Sequence, residues 1–132
     1  MTALTDLTIA GLRDSFRKGE ASAREIADAF TGAVEGGRAL NAFIVETPDH
    51  AITAAEAADR ARATGELAPL SGIPLGIKDL FATKGVQTTA ASHILEGFVP
   101  EYESTVTAKL FAAGAGMLGK LNLDQFAMGS SN

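Results

Sequence analysis

Residues 70–81 of this 132-residue chain, LSGIPLGIKDLF, are a short apolar segment with one lysine near its end. Because side chains alternate along a strand, the three large apolar residues are predicted on one face, with Pro74, Gly76 and Lys78 on the other. Because Pro74 and Gly76 have small side chains or none, the backbone beside Lys78 is left uncovered, which suits a site that a substrate approaches closely. A lysine in apolar surroundings loses hydration of its ammonium, so its pKa falls and the neutral amine becomes available as a base. The segment therefore predicts a strand that carries a catalytic lysine, Lys78.

Lys78 also has a structural interpretation, which the sequence leaves open. Most lysines at the end of a strand extend toward water and pair with a carboxylate, here Asp79 or a distant residue.

The composition limits the classes of protein to which this chain can belong. Hydrophobic residues make up 46% of the chain and charged residues 20%, which is typical of a globular protein. A net charge of −5 without any Lys or Arg run disfavours direct nucleic-acid binding by this piece. Without cysteine, and with His50 and His93 far apart, no metal site is predicted. The sequence shows no secretory signal and no apolar run that could cross a bilayer, so a cytoplasmic protein without membrane contact is expected.

Helix signals dominate the first half of the chain. Cap-forming residues precede three apolar or alanine-rich segments, and glycines follow them. The predicted starts are at Thr8, Ser22 and Thr47, and the predicted ends at Gly19, Gly36 and Gly65. A short apolar piece at 40–45, strand or extended, separates the second and third helices. Residues 1–66 are thus predicted to form a helical layer.

The second half has a different pattern. A strand is predicted at 73–80, a helix between Ser104 and Gly114, and a second strand at 117–121. Strand, helix and strand in this order favour a right-handed crossover in a parallel or mixed sheet. Residues 67–132 are therefore predicted to be the start of an α/β core. Because a sheet this small leaves its edges unpaired, we expect the chain to be the front of a larger domain.

Four segments resemble the amidase signature family: 69–81, TKGVQTTAAS at 83–92, LGK at 118–120 and FAMGSS at 126–131. The resemblance covers almost the whole chain and is weakest in the first helices. The FAMGSS segment is more similar to the tRNA-dependent amidotransferase branch than to stand-alone amidases. Gln125 departs from that branch, which usually has Glu there. The resemblance implies an α/β fold, the N-terminal portion of the amidase-signature fold, with a mixed sheet covered by helices and incomplete in this chain.

The resemblance also implies a Ser–cis-Ser–Lys triad in which the family's Gly-Ile-Lys motif places the lysine at Lys78. Its implied role is to act, through a bridging serine, as the base for a nucleophilic serine that attacks the side-chain amide of glutamine. The family's two serines belong to Gly-Gly-Ser segments downstream of Asn132, so these residues alone are expected to be inactive. Lys120 is the rival base, although its LGKLN setting resembles a structural strand end in the family.

Gly129, Ser130 and Ser131 match a loop that lies beside the substrate pocket in the family. They are candidate substrate contacts, and the alternative is a plain turn.

The function that the resemblance implies is the ammonia-generating step in converting misacylated Glu-tRNA(Gln), Asp-tRNA(Asn) or both. The implied partners are a companion protein that binds tRNA and a small third protein, which would complete a heterotrimer. ATP and Mg are expected to be used by the tRNA-binding partner, because the chain has no Gly-rich phosphate-binding motif. The alternatives are a stand-alone amidase that acts on a small amide, and an inactive truncated remnant.

Overall fold

The helices begin and end at the residues that the sequence marks for them. The computed structural model describes residues 2–131. Within that range the helices are α1 (Ile9–Lys18), α2 (Ala23–Gly36), α3 (Pro48–Thr64) and α4 (Thr105–Ala112). The strands there are β1 (Phe43–Glu46), β2 (Pro74–Lys78) and β3 (Gly116–Leu121).

Side-chain caps explain three of the helix starts, and one of these is α4, where Oγ of Ser104 accepts the N–H of Thr107 at 3.2 Å. The Thr8 hydroxyl accepts a hydrogen bond from the Gly11 N–H at 3.1 Å, and Ser22 and Glu25 form the predicted capping box. The cap expected from Thr47 is absent, because its hydroxyl instead donates to the carbonyl of Met117 at 2.9 Å. Thr47 thus ties the start of α3 to β3.

The strands form a mixed sheet in the order β1-β3-β2. Strand β2 is parallel to β3, and α4 lies in the connection between them, which confirms the predicted strand–helix–strand arrangement. Strand β1 is antiparallel to β3, so the sheet also takes one strand from the first half of the chain. That half is therefore more than a helical layer.

The main core lies between the first three helices and β2. Its largest members are Leu12, Phe16, Ile26 and Ile73, which are all buried. Small side chains bring α3 close to β3: a Cβ added at Gly116 would lie 3.0 Å from the Cα of Ala51. Close packing of alanine and glycine surfaces therefore joins the helices to the sheet.

On α2 the buried residues are Ala23, Ile26 and Ala27, all in its first half. Helical spacing from Ile26 predicts a buried stripe that continues through Ala29, Phe30, Ala33 and Val34, and this prediction is wrong at Ala33, which is exposed. No helix among the described residues has the length and apolar character needed to cross a membrane.

The parallel pairing gives the sheet two distinct edges. Lys78 pairs with Leu121 at the edge where β2 and β3 end, which we call the carboxyl edge. Pro74 pairs with Gly116 at the opposite edge, the amino edge. Ligands of open α/β sheets bind outside the carboxyl ends of the strands. A ligand site is therefore expected at the loops that follow β2 and β3.

Candidate active site

Lys78 is the last residue of β2 and lies at the carboxyl edge. The predicted alternation holds at most positions, since Ile73 and Ile77 are buried, whereas Gly76 is exposed and Lys78 half-buried. The salt bridges formed among residues 2–131 do not include Lys78. Because Lys78 is only half-buried, the described residues do not enclose it in the apolar surroundings that the sequence predicts. Pairing with Asp79, the alternative that the sequence left open, is wrong because Asp79 pairs with another lysine.

That other lysine is Lys120, on the neighbouring strand β3, and its side chain is completely buried. Its Nζ donates to the carbonyl of Phe81 at 2.9 Å and to Oγ1 of Thr88 at 2.8 Å, and lies 3.2 Å from Oδ1 of Asp79. Burial lowers the pKa of Lys120, and the contact with Asp79 opposes that shift. Because Nζ makes two hydrogen bonds and one ion pair, and no side-chain surface of Lys120 is exposed, Lys120 is poorly placed to receive a proton from a substrate. The geometry assigns Lys120 a structural place and leaves Lys78 as the candidate base.

Asp79 is the buried counter-charge of Lys120. Its Oδ2 accepts hydrogen bonds from the N–H of Thr89 at 3.0 Å and from the Thr89 hydroxyl at 2.7 Å. Its Oδ1 has no hydrogen bond within the described residues, and its contact with Lys120 is an ion pair outside hydrogen-bond geometry. The main chain of Asp79 is also held, since its N–H donates to Leu121 at 3.0 Å and its carbonyl accepts from Ala90 at 2.9 Å. The residue next to Lys78 is therefore fixed through almost every polar group that it has.

Two loops at the carboxyl edge adopt a strained backbone. Ala90 and Ala91 have φ values of 51° and 56°, and Phe126 and Ala127 have values of 53° and 56°. Each residue with a Cβ costs about 1–2 kcal/mol in this left-handed region. The N–H of Phe126 donates to the carbonyl of Ala90 at 2.9 Å, so the two strained pairs are joined. Strain of this kind clusters at functional sites, and here it lies beside Asp79.

The three candidate substrate contacts follow the second strained pair. Gly129, Ser130 and Ser131 are exposed. The N–H of Gly129 donates to Oδ2 of Asp124 at 2.6 Å, which closes the loop. The hydrogen bonds of residues 2–131 do not join either serine to Lys78, and the link runs instead through Phe126, Ala90 and Asp79. The structure therefore brings this loop to the same edge as Lys78 without a direct hydrogen bond between them in the described residues.

An open groove of about 240 Å³ lies against the first of these two loops, the one that contains Ala90 and Ala91. It is lined by Ile44, Gln87, Thr89, Ala91, Ser92, His93, Glu96 and Asn122. Beside the groove, Nε2 of Gln125 donates to Oγ of Ser92 at 2.6 Å and fastens the second loop to the first. Among the described residues, no three His, Asp or Glu side chains lie close enough to hold a metal ion.

The amino edge carries a histidine with a structural role. Nδ1 of His50, on α3, accepts the N–H of Met117 at 3.0 Å, and burial lowers the pKa of His50. The imidazole is thus neutral, with its lone pair on Nδ1. His93, by contrast, is exposed and contacts Glu96.

Comparisons with known proteins show the family of the chain. The family model described as Amidase matches residues 25–132. The chain belongs to the amidase family. Over all 132 residues it is 81% identical to a Rhizorhabdus wittichii protein named as the A subunit of glutamyl-tRNA(Gln) amidotransferase, and 70% identical to a Sphingopyxis alaskensis protein of the same name. The chain spans 27% of the length of each of these relatives.

A solved structure gives the same fold. The native peptide amidase from Stenotrophomonas maltophilia matches 92% of this chain with a TM-score of 0.84 and 32% identity, over 26% of its own length. The chain therefore has part of the amidase-signature fold, a mixed sheet covered by helices, as its sequence predicts.

Sequence reasoning misses the residues that fix the carboxyl edge. It includes Thr88 and Thr89 only in a segment of family resemblance and gives them no role, although two adjacent threonines in a small-residue stretch are available to bond buried charges. The left-handed backbone at Ala90 and Ala91 leaves no sequence signal, because glycine or asparagine normally marks it.

Proposed function

We propose that this chain is the N-terminal part of the glutamine-hydrolysing component of a tRNA-dependent amidotransferase. The observation that carries the proposal is the 81% identity, along all 132 residues, to a protein named as the A subunit of glutamyl-tRNA(Gln) amidotransferase. The position of Lys78 supports it, since ligands of open α/β sheets bind at the carboxyl edge.

In the proposed reaction a nucleophilic serine gives its proton to Lys78 through a bridging serine. Both serines are supplied by the rest of the enzyme. The serine oxygen bonds to the side-chain amide carbon of glutamine, the carbon–nitrogen bond breaks, and the nitrogen leaves with the proton as ammonia. Water then hydrolyses the acyl-enzyme to glutamate and restores the serine. Lys78 suits the base because no carboxylate among residues 2–131 pairs with it, whereas Lys120 is committed to Asp79.

The ammonia is proposed to amidate Glu-tRNA(Gln), Asp-tRNA(Asn) or both, in a cytoplasmic heterotrimer with a tRNA-binding companion and a small third protein. We assign tRNA binding to the companion because this chain has a net charge of −5 and no Lys or Arg run. ATP and Mg are assigned to the companion as well, since the sequence has no Gly-rich phosphate-binding motif.

A stand-alone amidase is the second candidate. The similarity to a peptide amidase at a TM-score of 0.84 and 32% identity favours it. In that case the same Lys78 serves a small amide without tRNA.

Ammonia release by the full-length protein separates these functions. The first proposal predicts release from glutamine that increases when the two partner proteins and misacylated tRNA are added. Turnover of a simple aliphatic amide without a partner, and without response to tRNA, would contradict the first proposal and support a stand-alone amidase. Release from neither substrate would make the chain an inactive remnant.

A further inference from the structure

The proposed reaction uses neither charge of the buried pair formed by Asp79 and Lys120. Both side chains are completely buried and their charged atoms lie 3.2 Å apart. Replacing such a pair with apolar residues is often neutral or stabilising, because both charges lose their hydration. Stability alone is therefore a weak explanation for this pair, and its position offers a better one.

Lys120 binds the turn that follows Lys78. The N–H of Phe81 donates to the carbonyl of Lys78 at 3.1 Å, which closes a turn over residues 78–81. The Nζ of Lys120 binds this turn twice, at the carboxylate of Asp79 and at the carbonyl of Phe81. The main chain on the C-terminal side of Lys78 is thereby held to β3.

The same pair also holds the first loop. Thr88 accepts from Lys120, and Thr89 donates both its N–H and its hydroxyl to Asp79. Ala90 follows directly and bonds Asp79 on one side and Phe126 on the other. A continuous set of bonds thus runs from the turn after Lys78 to the loop that carries residues 129–131.

We propose that Asp79 and Lys120 are positioning residues, whose ion pair fixes the turn after Lys78 against the two loops of the carboxyl edge. This inference rests on the proposed function and deepens it. Removal of the pair is expected to misplace the Lys78 amine. The loop that carries residues 129–131 keeps its bonds from Phe126 to Ala90 and from Gln125 to Ser92, which use neither charge, so kcat falls more than KM rises.

The test uses the full-length protein in complex with its partners and the double variant Asp79→Asn/Lys120→Met. Because both charges are removed together, no buried charge is left unpaired, and the melting temperature is expected to stay within a few degrees of the parent. The expected result is a fall in kcat for ammonia release of at least tenfold, with KM for glutamine changed less than threefold. A folded double variant with kcat within threefold of the parent overturns the proposal.

A milder variant keeps the test decisive if the double variant does not fold. Thr89→Val removes one hydroxyl from Asp79 and leaves the N–H bond in place, so kcat is expected to fall at least threefold. Thr47→Val is the matched control, because it removes a hydroxyl that bonds β3 at the amino edge. Equal kcat in the two variants contradicts the positioning role.

Lys78→Met in the same preparation separates this inference from the proposed function. If Lys78→Met retains ammonia release, the proposed function fails. If Lys78→Met is inactive and the double variant is fully active, only the positioning role fails.

Discussion

The two edges of the small sheet use their polar groups in opposite ways. At the amino edge, Thr47 and His50 satisfy the carbonyl and the N–H of Met117 with neutral hydrogen bonds of 2.9 and 3.0 Å. At the carboxyl edge, a buried ion pair and two strained alanine-containing loops surround the end of β2. Neutral bonds join helix to sheet at low cost, whereas buried charge and left-handed backbone are costly and persist where surrounding structure fixes them. The contrast supports the proposal that the carboxyl edge is the functional one, whereas the amino edge joins helix to sheet.

The largest effect on stability is expected from Lys120→Met alone. This change leaves the charge of Asp79 buried without its partner, which costs about 3–5 kcal/mol of unfolding free energy. Chemical unfolding of the full-length protein measures the loss, with Asp79→Asn/Lys120→Met as the variant expected to recover most of it. If the single variant is as stable as the double, the buried pair is not ionised and the contrast between the edges weakens.

A smaller effect is expected from pH at the amino edge. Burial lowers the pKa of His50 below its ordinary 6.5, so the unfolded chain takes up the proton first. The stabilisation from neutral His50 is therefore complete above about pH 6.5 and is lost as pH falls toward the folded pKa, by at most about 1.4 kcal/mol per pH unit.

His50→Asn tests this assignment, since the amide oxygen can accept the Met117 N–H but cannot be protonated. Unfolding free energies at pH 7.5 and 5.5 are compared for the parent and the variant. The parent is expected to lose more stability over this range. Parallel losses in both proteins would remove His50 from the pH response.

The smallest effect is expected from relief of backbone strain. Ala91 has a φ of 56°, so Ala91→Gly is expected to raise the unfolding free energy by up to about 1 kcal/mol. Ala57 lies exposed in the middle of α3, and Ala57→Gly is expected to lower the unfolding free energy by about 1 kcal/mol. Thermal unfolding of both variants checks the opposite signs, and a loss in both would show that the carboxyl edge is not strained at Ala91.

Local sequence signals predict the elements well because short-range physics sets them. The capping box of Ser22 and Glu25 and the left-handed glycine after α1 act within a few residues, so they are visible without the fold. The same signals fail at Thr47, whose hydroxyl bonds a strand that lies 70 residues away in sequence. Contacts of this range depend on strand order, which the pattern of one chain does not determine.

The site is predicted only in part for the same reason. Lys78 is a candidate because of the alternation in β2 and the family resemblance. Its role as a base stays a prediction, because the described residues leave it half-buried. The pairing of Asp79 with Lys120 requires β2 and β3 to lie side by side in a parallel register. The sequence therefore leaves Asp79 as a candidate partner of Lys78 and Lys120 as a rival base, and only the packing of the two strands resolves these alternatives.

The most direct test compares two lysine substitutions in the full-length protein bound to its proposed partners. Lys78→Met removes the proposed base, and Lys84→Met removes an exposed lysine in the following loop. We predict that Lys78→Met lowers kcat for ammonia release from glutamine by roughly 10²–10⁴-fold with an unchanged melting temperature, while Lys84→Met leaves both unchanged. Near-normal kcat in Lys78→Met would contradict the assignment of the carboxyl edge as the active site.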